Sequence, residues 1–184
     1  MQKKILLILA NGHEEVEAIT QIDLLRRAGI EITVAGLGNK EITGAHDITV
    51  KADVTLDDFT GAIDGIILPG GMPGTTWLAE SEIVLDIVRT AHEKGLLCAA
   101  ICAAPQVLDK AGILDGKTYT CYPGVEQNIS NGTFTDAPVV QDGNIITGRG
   151  IGTAIPFALK ITAFLLGNDE AGKLASQVVY SGEW

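Results

Sequence analysis

The chain has 184 residues, 46% hydrophobic and 20% charged, enough apolar material for one globular domain and too little charge for wholesale disorder. Its formal charge of −10, with no Lys/Arg cluster larger than a pair, excludes a basic footprint for nucleic acid or acidic membranes. No apolar run approaches the ~20 residues of a membrane span, and Cys98, Cys102 and Cys121 form no disulfide framework, which suits a reducing, cytoplasmic compartment.

Lys4 to Ala10 is a continuous apolar run, predicted as a parallel strand buried on both faces. It mimics a leader peptide, but Asn11 to Glu15 follow in place of a small-residue cleavage site. A helix is predicted over Glu14 to Ala28, with Val16, Ile19, Ile22 and Leu25 at helical spacing and Gly29 after its end. Glu31 to Gly36 reads as a second strand, and Thr43 to Lys51 as an edge strand or hairpin. Asp64 to Leu68 is a third core strand, ending in the loop Pro69 to Gly74. The next helix runs from Ser81, its N-cap, to Lys94, with Ile83, Val84, Ile87, Val88 and Ala91 inward and His92 solvated. Leu96 to Ile101 is a buried strand and Pro105 to Ala111 its helix. Lys117 to Tyr122, Val139 and Ile145 to Thr147 are further strands. Gly152 to Leu166 is a long helix, with a tail helix near Glu170 to Val178. Strands alternating with helices predict an α/β, mostly parallel, doubly wound sheet, whose ligands bind at the carboxyl ends of the strands.

Three loops lie at those ends: Asn11 to Glu17, Pro69 to Gly74, and the turn after Ile101. In the last, Gly95 to Pro105 reads G-L-L-C-A-A-I-C-A-A-P. A strand would stop at Cys102 and a helix begin at once, with Pro105 in its first turn. Small neighbours are what such a nucleophile elbow needs. A cysteine there sits at a helix N-terminus, where a thiolate is favoured over a thiol of pKa about 8.5. The segment alone fits equally a small cysteine in a core strand.

Glu17 lies in the first turn or so of the first helix, close enough in topology to meet the elbow, with its face set by the helix phase. A protonated Glu17 meeting Cys102 would donate to the thiolate, lower the thiol pKa and shuttle protons. Glu14 and Glu15 read first as macrodipole compensation. Gly70 and Gly71 allow close approach of a ligand to backbone N–H groups, which with the N–H of Ala103 would make an oxyanion hole. An ordinary tight turn is the competing reading. No G-x-G-x-x-G opens a helix, so a dinucleotide is disfavoured. The dispersed His13, His46 and His92, and the spacing of Cys98 to Cys102, predict no metal site and no cofactor. Cys98 is expected to be inert core.

Five segments together resemble the ThiJ/PfpI superfamily, in its DJ-1-like branch: K-K-I-L-L-I-L-A-N-G-H-E-E-V-E-A, D-L-L-R-R-A-G-I-E-I-T-V-A-G, G-I-I-L-P-G-G, A-A-I-C-A-A-P and T-G-R-G-I-G-T. They spread over most of the chain without large insertions. The resemblance implies one domain over residues 1–184, a flavodoxin-like three-layer sandwich related to class I glutamine amidotransferases, and a homodimer. It implies a reactive cysteine, here Cys102, paired with a glutamate, here Glu17, and lined by the N–H groups of Gly71 and Ala103. Three positions depart from the pattern. Ala103 stands where protease-like members carry histidine, so an elbow Cys-His dyad is absent. Cys121-Tyr122-Pro123 replaces a T-H-P setting, and Tyr122, with a pKa about 10, is a poor base at neutral pH. His46 replaces an arginine of the edge-strand region. Tyr122, His46 and Gly70 are therefore the candidate pocket residues.

Two functions follow from the resemblance. One is a cysteine-dependent glyoxalase or deglycase acting on 2-oxoaldehydes or early glycation adducts. The other is a redox-sensing or chaperone-like protein whose cysteine is carried as a sulfinate held by Glu17.

Overall fold

The computed structural model describes residues 2–184. Its centre is a seven-stranded sheet. In spatial order the strands are β10 (Val139–Asp142), β11 (Ile145–Gly148), β7 (Leu97–Ile101), β6 (Gly65–Leu68), β1 (Lys4–Leu9), β2 (Glu31–Gly36) and β5 (Val54–Thr55). Every pairing is parallel except the β10–β11 hairpin at one edge. The sandwich is therefore the doubly wound α/β type expected from the alternation of elements.

The two-residue period of the strands sorts their side chains into two cores. Leu6, Ile8, Ile66, Leu68, Cys98 and Ala100 pack with helices α3 (Glu82–Glu93) and α4 (Pro105–Lys110) on one face. Ile5, Leu7, Leu9, Ile67, Ala99 and Ile101 pack with α1 (Glu15–Arg27) and α5 (Ala154–Leu166) on the other. The central strands β6 and β7 are buried and carry no polar side chain at any position because they have a helix layer on both sides. Helix α6 (Asn168–Gln177) closes over α5 through Leu174 and Ala175 against Ala158 and Leu159.

Several elements differ from the sequence expectation. A short helix, α2 (Gly74–Glu80), fills the stretch before Ser81, where no helix was predicted. Ser81 does precede α3, but its side chain makes no capping bond. Ile83 is 38% exposed, and Leu85 takes the inward position instead. His92 is half-buried rather than solvated. On α1, Val16 and Ile19 are exposed, and the buried face is Glu17, Ala18, Gln21, Leu24 and Leu25. Apolar spacing misleads there because the helix turns a carboxyl and an amide inward. The predicted strand Lys117 to Tyr122 shrinks to β8 (Thr118–Tyr119), which pairs with β9 (Thr133–Phe134) outside the main sheet. Thr43 to Lys51 is a hairpin of β3 (Glu41–Thr43) and β4 (Thr49–Lys51). Among the described residues no helix is long and apolar enough to cross a membrane.

Candidate functional site

The carboxyl ends of β1, β6, β7 and β11 open onto a cavity of about 770 Å³. Cys102, the first residue after β7, sits in its wall with φ +64°. A left-handed backbone costs a non-glycine residue roughly 1–2 kcal/mol, so surrounding bonds must hold it. They do: its N–H donates to Gly148 O at 2.9 Å, and its carbonyl accepts from Tyr122 N–H at 2.9 Å. The chain then turns into α4 through Ala103 and Ala104, which are 5% and 0% exposed. This is the elbow the alanines and Pro105 imply.

Gly70 and Gly71 cross beneath it. A Cβ on Gly70 would lie 2.7 Å from Cys102 Cβ and 2.9 Å from both Ala103 N and Glu17 Oε2. A Cβ on Gly71 would lie 2.3 Å from Glu14 N, and its φ of +93° is itself unfavourable for a side chain. These contacts leave glycine as the residue that fits, so the pair is more than an ordinary turn. The backbone N–H groups of Ala103 and Gly71 both reach the Cys102 sulfur and favour its charged form.

Glu17 is completely buried and directly beside the thiol. Its Oε2 accepts from Gly70 N–H at 2.9 Å. Its Oε1 has no aligned hydrogen-bond partner, although the carboxyl and the thiol interact as neighbours. Burial pushes the carboxyl up to about 7, against the opposing pull of Cys102 and the Gly70 N–H. Near neutral pH the group is thus part protonated. The thiol is pushed up to about 12, first by burial and then by the negative charge and hydrogen bond of Glu17. That is opposite to the depressed thiol pKa predicted from the helix N-terminus. The physical reason is first the burial of the sulfur and then the charge of Glu17 against it, while α4 starts only at Pro105. Protonating Glu17 removes that charge and turns the acceptor into a donor.

Glu14 and Glu15 have specific partners beyond macrodipole compensation. Glu14 caps α1 by accepting from Val16 N–H at 3.4 Å. Glu15 accepts from His46 N–H at 2.6 Å and lies 2.9 Å from His46 Nδ1. Burial opposes its charge, but the bonds to His46 and Ile48 bring its carboxyl down to about 2. The same contact raises His46. His46 therefore lines the cavity as predicted, but its ring is committed to holding the β3–β4 hairpin on α1. Glu14, Glu15 and His46 also bring ligand atoms within 4.8 Å of one another, a convergence the sequence did not reveal. Glu15 is already filled by hairpin bonds, and this cluster serves the hairpin.

Tyr122 is 53% exposed on the cavity wall, and its hydroxyl makes no hydrogen bond among the described residues. Cys98 is buried core, pushed up to about 12 by burial alone. Several lining residues lay outside the predicted site, and one of them is a cation. Arg149 follows β11 and enters the cavity wall. The available signal was a lone cation between two glycines at the end of a predicted strand.

The fold and this site define a doubly wound α/β protein with a cysteine on a strained strand-to-helix turn beside a buried carboxyl. A family model described as the DJ-1/PfpI family matches residues 3–163, and the chain belongs to that family, in its DJ-1 branch. It is 44% identical over 179 residues to "Protein dj-1beta" of Drosophila melanogaster, covering 95% of this chain and 96% of that one. It is 36% identical over 177 residues to "Glutathione-independent glyoxalase DJR-1.2" of Caenorhabditis elegans, covering 94% of each. The crystal structure of Drosophila DJ-1beta superposes with a TM-score of 0.95 at 42% identity, over 99% of this chain and all of that one. An oxidized Toxoplasma gondii DJ-1 structure superposes with a TM-score of 0.94 at 34% identity, over 98% of this chain and all of that one.

Proposed function

We propose that this protein is a cysteine-dependent glyoxalase or deglycase-like enzyme in which Cys102 and Glu17 act on 2-oxoaldehydes or their early adducts. The observation that carries this reading is the pair itself: a strained cysteine at a cavity wall beside a carboxyl raised to about 7. Proton transfer to Glu17 gives the thiolate, which adds to the aldehyde carbon to form a hemithioacetal. The Gly71 and Ala103 N–H groups hold the oxyanion that develops. Glu17 gives the thiol proton to that oxygen, completing the hemithioacetal, and then as carboxylate takes the proton from the former aldehyde carbon and returns it to the neighbouring carbon through an enediol. The first carbon is oxidised to a thioester and the second reduced to an alcohol, with no external electron carrier. Water cleaves the thioester, releasing a 2-hydroxy acid and the thiol. The glyoxalase name of the worm relative supports this reading.

The exposed Val16 and Ile19, one helical turn apart, support the expected homodimer. Ile48 is also exposed, and its N–H reaches Glu15 Oε1 of the same helix at 3.5 Å. Lactate formed from methylglyoxal tests the reaction, and wild-type rates in Cys102→Ser would overturn it. A second reading, a redox-responsive protein carrying Cys102 as a sulfinate, is favoured by Tyr122 standing where a base is expected. Its test is the mass of Cys102 after mild peroxide, and unmodified Cys102 would exclude it.

A further inference from the structure

Arg149 is the one Lys or Arg lining the catalytic cavity. Its backbone is fixed beside the nucleophile, since the preceding residue, Gly148, accepts the Cys102 N–H at 2.9 Å. Its own N–H is shared between Pro138 O at 3.0 Å and Thr153 Oγ1 at 3.1 Å. Thr153 also ties Gly150, accepting from its N–H at 3.1 Å and donating to its carbonyl at 2.8 Å. The arm therefore leaves a rigid loop.

Its head is less satisfied. The side chain is 26% exposed and stacks over Phe134, 5.9 Å from the ring centre. A guanidinium carries five N–H donors in a fixed fork. Nη1 is paired with Asp136 Oδ1 at 2.7 Å, and the head makes no further hydrogen bond among the described residues. Asp136 is itself 74% exposed, so water competes for it. The donors that Asp136 leaves unused are available to a ligand oxygen at the cavity wall.

A three-carbon aldehyde on Cys102 leaves most of the about 770 Å³ of cavity empty. Of the other ionisable lining groups, Glu14 and Glu17 repel anions, and the His46 ring is held by Glu15 at 2.9 Å. Selection for an anionic group thus falls to Arg149, whose planar fork matches a carboxylate.

We infer that Arg149 forms a carboxylate subsite of this cavity, and that the preferred substrates are aldehyde adducts bearing a carboxylate several bonds from the reacting carbon. This rests on the Cys102 reading above for its reaction, though not for its binding. The probes are N-acetyl-S-(2-oxopropyl)cysteine, a stable thioether, and its carboxamide, titrated by calorimetry into Cys102→Ser protein. The carboxylate is expected to bind about tenfold tighter or more, the range of one charge-assisted hydrogen bond. Adding Arg149→Met should bring the ratio close to one, and Arg149→Lys should retain part of it. A ratio of one in Cys102→Ser, or a full ratio surviving Arg149→Met, overturns the subsite. Wild-type turnover of methylglyoxal with a ratio of one removes the subsite alone. No turnover with the ratio intact removes the reaction alone.

Discussion

Cys98 and Cys102 lie four residues apart on one strand and its tip, and both thiols are pushed up to about 12. The causes differ. Cys98 is raised by burial alone, and burial cannot be relieved without unfolding. Cys102 is raised also by the charge of Glu17, while the N–H groups of Ala103 and Gly71 pull the other way. That part of its shift disappears when Glu17 takes a proton. The strand interior has ordinary backbone, whereas the tip is left-handed at +64°. One end of β7 is built for packing and the other for a reversible change of charge.

The largest test of this contrast is substitution at each cysteine. Cys102→Ser should lower turnover of methylglyoxal by at least about a thousandfold, the range of a lost nucleophile. Cys98→Ala should keep near wild-type kinetics and cost about 1 kcal/mol of stability in urea unfolding, through lost core contacts. Equal losses of activity would erase the distinction between the two ends.

Glu17→Gln comes next, with turnover reduced roughly a hundredfold and an altered pH profile. The sign of the linked stability follows from the raised carboxyl. Its contribution is fully present below the unfolded value of 4.5 and is lost as pH rises through about 7. Wild-type protein should lose on the order of 2–3 kcal/mol more than Glu17→Gln between about pH 5 and about pH 9 in urea titrations. Parallel curves for the two proteins would show that Glu17 is not the linked group.

Alkylation by iodoacetamide sharpens the contrast further. Cys102 should be labelled at least about tenfold faster than Cys98 or Cys121, both of which are fully buried. Peptide mass spectrometry reads this directly. The smallest effect concerns backbone strain. Cys102→Gly should stay within about 1 kcal/mol of wild type, because relief of the positive φ offsets lost side-chain contacts. Cys98→Gly should cost about 2 kcal/mol or more. A larger loss at Cys102 would mean that its conformation carries little strain.

Much of this was legible in the residues. The apolar strands, the small residues of the elbow, Gly71 and the acid at Glu17 are local signals that the structure brings to one end of the sheet, while Gly70 packs against the elbow and does not line the cavity. The cavity places of Tyr122 and His46 were also anticipated. The inward turn of α1 was not, since Val16 and Ile19 carry the apolar spacing but face outward. Nor was α2, whose sequence G-T-T-W-L-A-E lacks a capping side chain. Arg149 escaped because nothing local distinguishes a cavity arginine from a surface one.

By itself, then, the sequence determined the layered α/β sheet, the elbow and which residues could react, because periodicity and small-residue turns act over a few neighbours. Only the tertiary structure decided their state. Burial and the approach of Glu17 set the thiol high rather than low, a hairpin engaged His46 with Glu15, and the end of β11 brought Arg149 to the cavity. Desolvation, charge proximity and hydrogen-bond alignment depend on distances between segments far apart in the chain, which no local pattern encodes.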